Sequence, residues 1–456
     1  MALRRIRRPP EWGTDPVPEN LRTLRWFDFF VLWSSLGVGL LVLAAGTLLV
    51  VFGLSLIEAL IVSIIGSVIG SLMLAAAARH GSEAGVPTMV SLRPILGRSG
   101  SYAPTILNVF QLLGWAAFEL LIMGYAAAVI TNNIFGPWTA VLFVPAFGAV
   151  VAALALGGPL AVVRDWLERF AIWLVYISTA LIALGLFTRL SWDARPMPAS
   201  FQGSTSLLLA IDLVIVMPVS WWPLVSDYNR FARTRRDSMI GTTAGYAVAN
   251  TVFYVLGAAL LAFGLAQTPA EGNFLAAIGL LGLGALPLLF ILVDETDNAF
   301  ANVYSTAVSI QNLAPKRRQF WFIVGATLVA TAGAGFLLLR GEAIGGGYEN
   351  FLFAIGGVFV PLLGVVIADS FLVRRGRYDR EEFFDRSPQI RWPAFASWLP
   401  GIFLYFAIVY QILPGFPPVG ATLPSFALAG GLHFVFAKLD QLRVTPKAPA
   451  PGGGDD

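Results

Sequence analysis

The chain has 456 residues, of which 57% are hydrophobic and 12% are charged, and its mean hydropathy is +0.74. Soluble domains carry about 25% charged residues, so this composition excludes an ordinary soluble fold. The absence of cysteine excludes disulfides and cysteine-ligated metal sites. The pI of 9.2 does not indicate nucleic-acid binding, because the basic residues lie in short loops between apolar stretches.

Apolar stretches of about 20 residues recur along the whole chain, as in a helical membrane protein with many spans. We therefore expect an all-α integral membrane protein with one membrane domain. The segmentation predicts twelve spans, at 26–52, 54–78, 102–131, 138–157, 166–188, 207–228, 241–266, 276–312, 320–339, 349–373, 395–413 and 422–438.

The distribution of basic residues predicts the orientation. If the N-terminus is cytoplasmic, all of the 30 Lys and Arg residues except Arg189, Arg195 and Arg340 lie on the cytoplasmic side. This agrees with the positive-inside rule. We expect a multi-pass protein of the inner or plasma membrane with both termini in the cytoplasm.

Two predicted spans contain helix-breaking residues near the middle of the membrane. Span 1 contains Gly37 and Gly39, and span 6 contains Pro218, Ser220 and Trp221 within the stretch 217–223. Two interrupted spans, five spans apart, are typical of an inverted five-plus-five repeat with a central binding site. The alternative is that Gly and Pro are simply common in membrane helices.

This pattern predicts five regions in chain order. They are a cytoplasmic arm at 1–25, a first five-helix repeat at 26–188, a second at 207–373, two extra spans at 395–438 and a disordered cytoplasmic tail at 444–456.

Span 3 carries a polar stripe. Asn108, Gln111, Trp115 and Glu119 are three or four residues apart and so share one helix face. Trp115 offers a flat surface for a planar ligand, and Glu119 can accept hydrogen bonds from a ring N–H and an exocyclic amine. The alternative is a packing tryptophan beside a glutamate that is protonated or paired with another helix.

Span 8 carries a cluster of acids and amides. Ionisable groups at membrane depth are costly and usually functional, so we expect the cluster to bind a cation or to exchange a proton. The alternative is that Asp294 or Glu295 pairs with polar groups of a neighbouring helix. The cluster comprises Asp294, Glu295, Thr296, Asp297, Asn298 and Asn302.

Charged residues also end two spans on the expected cytoplasmic side. Asp227 and Arg230 lie at the end of span 6, and Asp369 precedes Arg374 at the end of span 10. We expect ion pairs at the membrane interface, with a part in an inner gate as one option.

Enzymatic and nucleotide-binding motifs are absent from the sequence. It contains no HExxH, GxSxG, Walker A or Gly-rich dinucleotide motif. We expect neither an enzyme nor a resident cofactor, and transport would be driven by an ion gradient or by a partner subunit.

Several segments resemble the nucleobase:cation symporter-1 family, whose members carry cytosine, purines, hydantoins, allantoin and thiamine-related pyrimidines. The resemblance extends over nearly the whole chain. The segments that carry it are Trp12-Gly13-Thr14-Asp15-Pro16-Val17-Pro18 with Arg22-Thr23, Gly114-Trp115, Asp227-Tyr228-Asn229-Arg230-Phe231, and Ile367-Ala368-Asp369-Ser370-Phe371-Leu372-Val373-Arg374-Arg375.

The resemblance implies a LeuT-like inverted repeat followed by two extra C-terminal helices. By this resemblance, Trp115 corresponds to the family's substrate-stacking residue, and Asn302 corresponds to an asparagine that contacts substrate. Glu119 stands where the family often has an amide that forms a hydrogen bond with the substrate ring. The candidate substrate-binding residues are Gly37, Gly39, Gln111, Trp115, Glu119, Pro218, Ser220, Trp221, Asn298 and Asn302. The sodium site that it implies comprises Ser34, Ser35, Gly37, Val38, Thr296 and Asp297. The candidate coupling and gating residues are Asp227, Arg230, Asp294, Glu295 and Asp297.

Two residues depart from the family pattern. Asp297 stands where sodium-coupled members tend to have Ser or Thr. A carboxylate there could bind sodium more strongly, or it could carry a proton in place of sodium. Pro218 stands about where hydantoin carriers have a second stacking tryptophan, although Trp221 offers a substitute. The stretch 217–223 resembles the hydroxymethylpyrimidine and cytosine branches.

We therefore expect a secondary transporter that imports a nucleobase-like heterocycle together with Na⁺ or H⁺. Its partners would be that substrate, the coupling cation and the lipid bilayer, and a monomer would suffice. The alternatives are a hydantoin, allantoin or amino acid symporter on the same fold, a binding or sensor protein, and an intramembrane enzyme.

Overall fold

The computed structural model describes residues 12–187, 207–263, 278, 285–340, 346–384, 387–412 and 419–444. Parts of the expectations therefore lie outside the described residues: the first eleven residues of the arm, the last residues of spans 5, 7 and 11, the beginning of span 8 and the tail after residue 444. The external positions Arg189 and Arg195 also lie outside them. The described residues form helices, with one isolated bridge between Leu24 and Ala232 and no strand.

Fourteen α-helices carry the architecture among the described residues. They are α1 Trp26–Leu36, α2 Leu40–Val51, α3 Leu56–Ala77, α4 Tyr102–Ile130, α5 Thr139–Gly157, α6 Ile172–Phe187, α7 Leu207–Ser220, α8 Val225–Asn229, α9 Arg235–Ala262, α10 Leu286–Leu313, α11 Gln319–Leu339, α12 Gly346–Ala368, α13 Trp392–Val409 and α14 Thr422–Val444. The connections contain short α-helices at Arg79–Ala84, Thr88–Ser91, Arg93–Leu96 and Pro159–Ala161, and π-helical segments at Val162–Ala171 and Asp369–Val373.

The described helices agree with a protein that crosses the membrane many times. Ten of them are long and apolar enough to cross, and α1 with α2 forms an eleventh span that is bent by 65°. Helix α10, the predicted span 8, has 28 residues but also contains three buried acids. The expected all-helical membrane fold is confirmed. Helix length and hydropathy support up to eleven spans among the described residues, against the twelve expected.

Glycine residues separate the two halves of the first span, as predicted. Helix α1 ends at Leu36, and α2 begins after Gly39, whose backbone is extended. Span 6 is different, because α7, a 3₁₀ turn at Trp222–Leu224 and α8 together count as a single crossing of 23 residues. Pro223 lies in this turn and has no N–H to continue the helical hydrogen bonds.

Nine of the helices pack in two groups. Helices α1, α2 and α3 lie against α9, and α7 lies against α3, whereas α4, α5, α10 and α11 pack on one another. Helices α12, α13 and α14 form a further packed set. Glycine permits close approach in the first group, because a Cβ on Gly46 of α2 would lie 2.8 Å from the Tyr254 Cα of α9.

Candidate functional site

The acidic face of α10 lies against the end of α1. The Ser35 hydroxyl donates to the Asp294 carboxyl at 2.6 Å and lies 3.2 Å from the Asp297 carboxyl. The Trp166 indole N–H also donates to Asp297, at 2.5 Å. Both acids are fully buried. One serine thus bridges two carboxyl groups at the place where the first span breaks.

The gap between α1 and α2 is filled by the next residues of α10. The Glu295 carboxyl accepts from the Leu40 N–H, which is the first of α2, and a carboxylate at a helix N-terminus is electrostatically favourable. The Asn298 amide donates to the Val38 carbonyl at 2.9 Å. A Cβ on Gly39 would lie 3.1 Å from the Asn298 nitrogen and 3.2 Å from a Glu295 oxygen, so glycine permits this contact.

The predicted stripe on α4 is buried. Trp115 is only 6% exposed, and its ring packs edge-on against Phe351 of α12, with 5.4 Å between the centroids. Gln111 donates to Asn108 at 2.6 Å, and Asn108 donates in turn to Ser309 of α10. The stripe therefore runs between α10 and α12.

The two predicted clusters meet at Glu119 and Glu295. Their carboxyl groups lie within hydrogen-bonding distance of each other, and their side chains are 4% and 0% exposed. Buried polar atoms are normally paired. Yet among the described residues five such oxygens of the stripe and the cluster have no hydrogen-bond partner. They are Gln111 Oε1, Glu119 Oε2, Asp294 Oδ2, Glu295 Oε2 and Asn298 Oδ1.

Other candidate residues direct their polar groups along their own helices. Thr296 donates to Val293, Asn302 to Asn298, and Ser220 to Met217. Ser34 donates to Val31 at 3.1 Å and also lies 3.3 Å from the Tyr176 hydroxyl. Of the residues in the implied sodium site, only Ser35 and Asp297 are joined by a hydrogen bond between their side chains.

The span 6 residues lie on the other side of the broken span. Trp221 packs edge-on against Trp33 of α1, with 6.5 Å between the ring centroids. Pro218 contacts Gly70 of α3, and Gly37 packs against Ala249 of α9. These contacts place the three candidates in the first packed group.

The expected ion pair between Asp227 and Arg230 is wrong. Arg230 donates to the Gly13 carbonyl at 2.9 Å and to the Tyr304 hydroxyl at 3.0 Å, whereas Asp227 accepts from the Thr88 N–H at 2.9 Å. Both are fully buried rather than interfacial. Each side chain is bound by other groups instead, so closeness in sequence did not produce a pair.

The ion pair expected at the end of span 10 is present. Asp369 lies 3.2 Å from Arg374 and 3.0 Å from His433 of α14. Burial raises the pKa of Tyr378, whose hydroxyl therefore remains a donor to Asp369. This cluster joins α14 to the end of α12, away from α4 and α10.

The side chains of Trp115, Glu119 and Glu295 are buried in this structure. Cavities of about 400 and 570 Å³ lie elsewhere, the first beside Trp12 and Tyr304 and the second beside Arg22 and His80. Within the described ranges, no three His, Cys, Asp or Glu side chains are arranged as a metal site. A cation at Asp297 would therefore need oxygens of other kinds, such as the Ser35 hydroxyl.

Two aromatic residues of this site were not predicted from the sequence. Trp166 lies in the π-helical segment before α6, and its mixed charged surroundings resemble a loop. Phe351 is one of many phenylalanines, and only its contact with Trp115 distinguishes it. The π-helical turns change which residues share a helix face, so an α-helical projection of span 5 does not predict that Trp166 faces Asp297.

Comparison with known proteins agrees with this architecture. Residues 16–429 match the family model for permeases for cytosine/purines, uracil, thiamine and allantoin. The hydantoin permease of Microbacterium maritypicum is 25% identical over 320 residues, covering 66% of this chain and 63% of that protein. The cytosine permease of Escherichia coli (strain K12) is 24% identical over 356 residues, covering 75% of both chains.

A solved structure supports the fold. Mhp1, a nucleobase-cation-symport-1 family transporter in a closed conformation with bromovinylhydantoin bound, superposes with a TM-score of 0.75 at 19% identity. The match covers 96% of this chain and 98% of Mhp1. The expected LeuT-like fold and the expected family are therefore confirmed. This chain is a multi-pass membrane transporter that belongs to the permease family for cytosine and purines, uracil, thiamine and allantoin.

Proposed function

We propose that the chain imports a nucleobase-like heterocycle together with a cation, by alternating access. The favoured substrates are cytosine, a purine or an aminopyrimidine such as a thiamine precursor. The observation that carries this proposal is the arrangement of Trp115 and Glu119 on one buried face of α4, directly against Glu295 of α10. A flat aromatic surface beside hydrogen-bonding groups suits a planar, polar ring.

Each part of the site has a role in this proposal. The substrate stacks on Trp115, while Glu119 and Asn302 bind its edge. The broken span closes one side of the site through Gly37 and Gly39, and Pro218, Ser220 and Trp221 of span 6 close the other. Gln111 and Asn298 supply two of the unpartnered oxygens that support a polar ligand.

The coupling cation binds beside the substrate. Ser35, Asp294 and Asp297 bring two carboxyl groups and a hydroxyl together in a buried position. Sodium would use these oxygens with Ser34, Thr296 and the Gly37 and Val38 carbonyls, whereas a proton would need only a carboxyl. Repulsion between two buried carboxylates favours either cation.

The proposed topology has twelve spans, with α10 as the span that completes the count. It comprises an inverted five-plus-five repeat and two additional helices, and both termini are cytoplasmic. The basic residues support this orientation, and the two packed groups of helices support rocking of one group against the other. A monomer in the inner or plasma membrane suffices.

Purified protein in liposomes provides the test. We expect counterflow of a radiolabelled nucleobase, and ligand binding should also raise the melting temperature by mass action. Trp115→Ala should weaken binding by about 5- to 150-fold, since stacking of a base contributes about 1–3 kcal/mol. Trp115→Phe should retain most of the affinity because it keeps a flat ring. Equal affinity in the wild type and Trp115→Ala would remove the stacking role.

A hydantoin or allantoin carrier is the second candidate. The similarity to the hydantoin permease favours it, whereas Pro218 and the acids of α10 favour an amino-heterocycle. The panel of ligands should include hydantoins, allantoin and amino acids. A melting-temperature shift from one of these alone would replace the proposed substrate class.

A further inference from the structure

The Glu119–Glu295 contact provides an unusual set of acceptors. The two side chains come from different helices, and at least nine-tenths of each is buried. One oxygen of Glu295 accepts from the Leu40 N–H, which fixes the carboxyl at the start of α2. The Oε2 atoms of both glutamates and the Oδ1 atom of Asn298 have no partner among the described residues. Three acceptors in one buried place call for a ligand that brings donors.

The protein itself supplies no cation to this contact. Among the described residues, Glu119 and Glu295 form no ion pair with Lys, Arg or His, and another acid, Asp294, lies nearby. Two buried carboxyl groups in contact repel each other when both are charged, so the contact favours a ligand that brings N–H donors. One carboxyl oxygen on each side still remains available to accept.

We infer that the Glu119–Glu295 pair selects heterocycles with an exocyclic amino group and rejects those with a ring carbonyl in its place. An amino group has two N–H donors, one for each unpartnered Oε2 atom. Carboxylates are known acceptors for the exocyclic amine of cytosine. A carbonyl in the same position has lone pairs only, so it would leave both Oε2 atoms without the donors that the amino group supplies. This inference rests on the proposed function, whose substrate class it narrows.

The position of the pair relative to Trp115 supports the inference. Glu119 follows Trp115 by one helical turn, so the carboxyl lies beside the ring that would hold the base. Gly39 leaves the pair accessible from the gap in the first span, since a side chain there would contact Glu295. The ring and the acceptors can therefore bind the same ligand together.

Matched ligands that carry an amino or an oxo group at one ring position give the test. The adjacent ring nitrogen is an acceptor in the amino member and an N–H donor in the oxo member. Cytosine and uracil form one pair, and adenine and hypoxanthine form another. We expect wild-type protein to bind the amino member of at least one pair about tenfold or more tightly, because buried acceptors left unpaired discriminate strongly. Competition against a bound radiolabelled base measures both affinities in the same preparation.

Isosteric variants test whether the preference for the amino ligand depends on Glu119 and Glu295. Glu119→Gln and Glu295→Gln each introduce an amide donor, and in the second variant the amide oxygen can still accept from the Leu40 N–H. Each should reduce the preference for the amino ligand several-fold, chiefly by improving the binding of the oxo ligand. Asp165→Asn makes the same chemical change at an exposed residue, and its preference should equal that of the wild type.

The outcomes separate this inference from the proposed function. Equal binding of cytosine and uracil, and of adenine and hypoxanthine, would overturn the inference and leave a nucleobase transporter. A preference that persists in both glutamine variants would also overturn it. Binding of amino acids without any heterocycle would overturn the proposed function itself.

Discussion

The Asn298 amide of α10 donates a hydrogen bond of 2.9 Å to the Val38 carbonyl, in the three-residue gap between α1 and α2. A helix that breaks inside the membrane leaves backbone groups unpaired, and lipid offers them no hydrogen bonds. Here a side chain from the other packed group pairs with one of them. The broken span is therefore held by the same helix that carries the acids.

We expect Asn298→Leu to destabilise the protein even without ligand. The change leaves the Val38 carbonyl without this donor, and an unsatisfied buried group costs about 1–3 kcal/mol. The melting temperature of ligand-free protein in detergent measures the loss. Asn350→Leu is the control, because Asn350 is exposed at the start of α12. Similar melting temperatures for the two variants would contradict the importance of this hydrogen bond.

We expect Gly114→Ala to disturb the ring that supports Trp115. The new Cβ would lie 2.7 Å from the Phe351 Cζ, so Phe351 must move. Overpacking of this kind costs about 1–3 kcal/mol. The melting temperature and nucleobase affinity should both fall, and adding Phe351→Leu should restore part of each.

Gly325→Ala is the matched control for this crowding. A Cβ at Gly325 of α11 would have no heavy atom within 4 Å. Alanine also favours the helical state over glycine by about 1 kcal/mol. This variant should be as stable as the wild type or more so. If Gly114→Ala and Gly325→Ala lost stability equally, the effect of Gly114→Ala would not be due to contact with Phe351.

We expect Arg230 to hold the N-terminal arm in place. Its fully buried guanidinium binds the Gly13 carbonyl and the Tyr304 hydroxyl. Hydrogen bonds from charged groups contribute about 1.5–3 kcal/mol, so Arg230→Met should speed amide exchange in the arm by about tenfold or more. The Val17 N–H, which donates to Gly85, is a suitable reporter.

Arg233→Met is the control for loss of positive charge near the arm. Arg233 is 56% exposed and lies 3.9 Å from Asp237. Its removal should leave exchange at Val17 unchanged. Equal rates in wild type and Arg230→Met would show that the arm is held by its other contacts.

Local patterns in the sequence were sufficient to predict much of the fold. Hydrophobic length predicted the apolar spans, and Gly37 and Gly39 predicted the break in the first of them, because both effects act within a few residues. The family motifs are also local, and the family match confirmed their interpretation.

The contacts within the site could not be predicted in the same way. Whether Glu119 contacts Glu295 depends on how α4 and α10 are rotated and positioned relative to each other. The hydrophobic periodicity of each helix does not determine that arrangement. The sequence also could not predict that Thr296 bonds to its own helix while Asp297, one residue later, faces Ser35 and Trp166. A rotation of about 100° per residue separates these outcomes.

We expect cysteine labelling to report a cytoplasmic N-terminus. The natural chain has no cysteine, so single substitutions give an unambiguous signal. Ile134→Cys, exposed after α4, should react with a membrane-impermeant maleimide on intact cells. Lys316→Cys, between α10 and α11, should react only after permeabilisation. The reverse pattern would invert the proposed topology.

We expect Asp297→Asn to separate coupling from transport. The amide keeps the size of the side chain and can still accept from Trp166, but it cannot exchange a proton and attracts sodium weakly. Accumulation driven by an ion gradient should therefore be lost, while counterflow exchange of substrate, which needs no gradient, continues. Asp165→Asn at the exposed surface should retain both activities. If Asp297→Asn still accumulated substrate against a gradient, Asp297 would not be the coupling residue. Asp294, which shares the Ser35 hydroxyl with Asp297, would then be the next candidate.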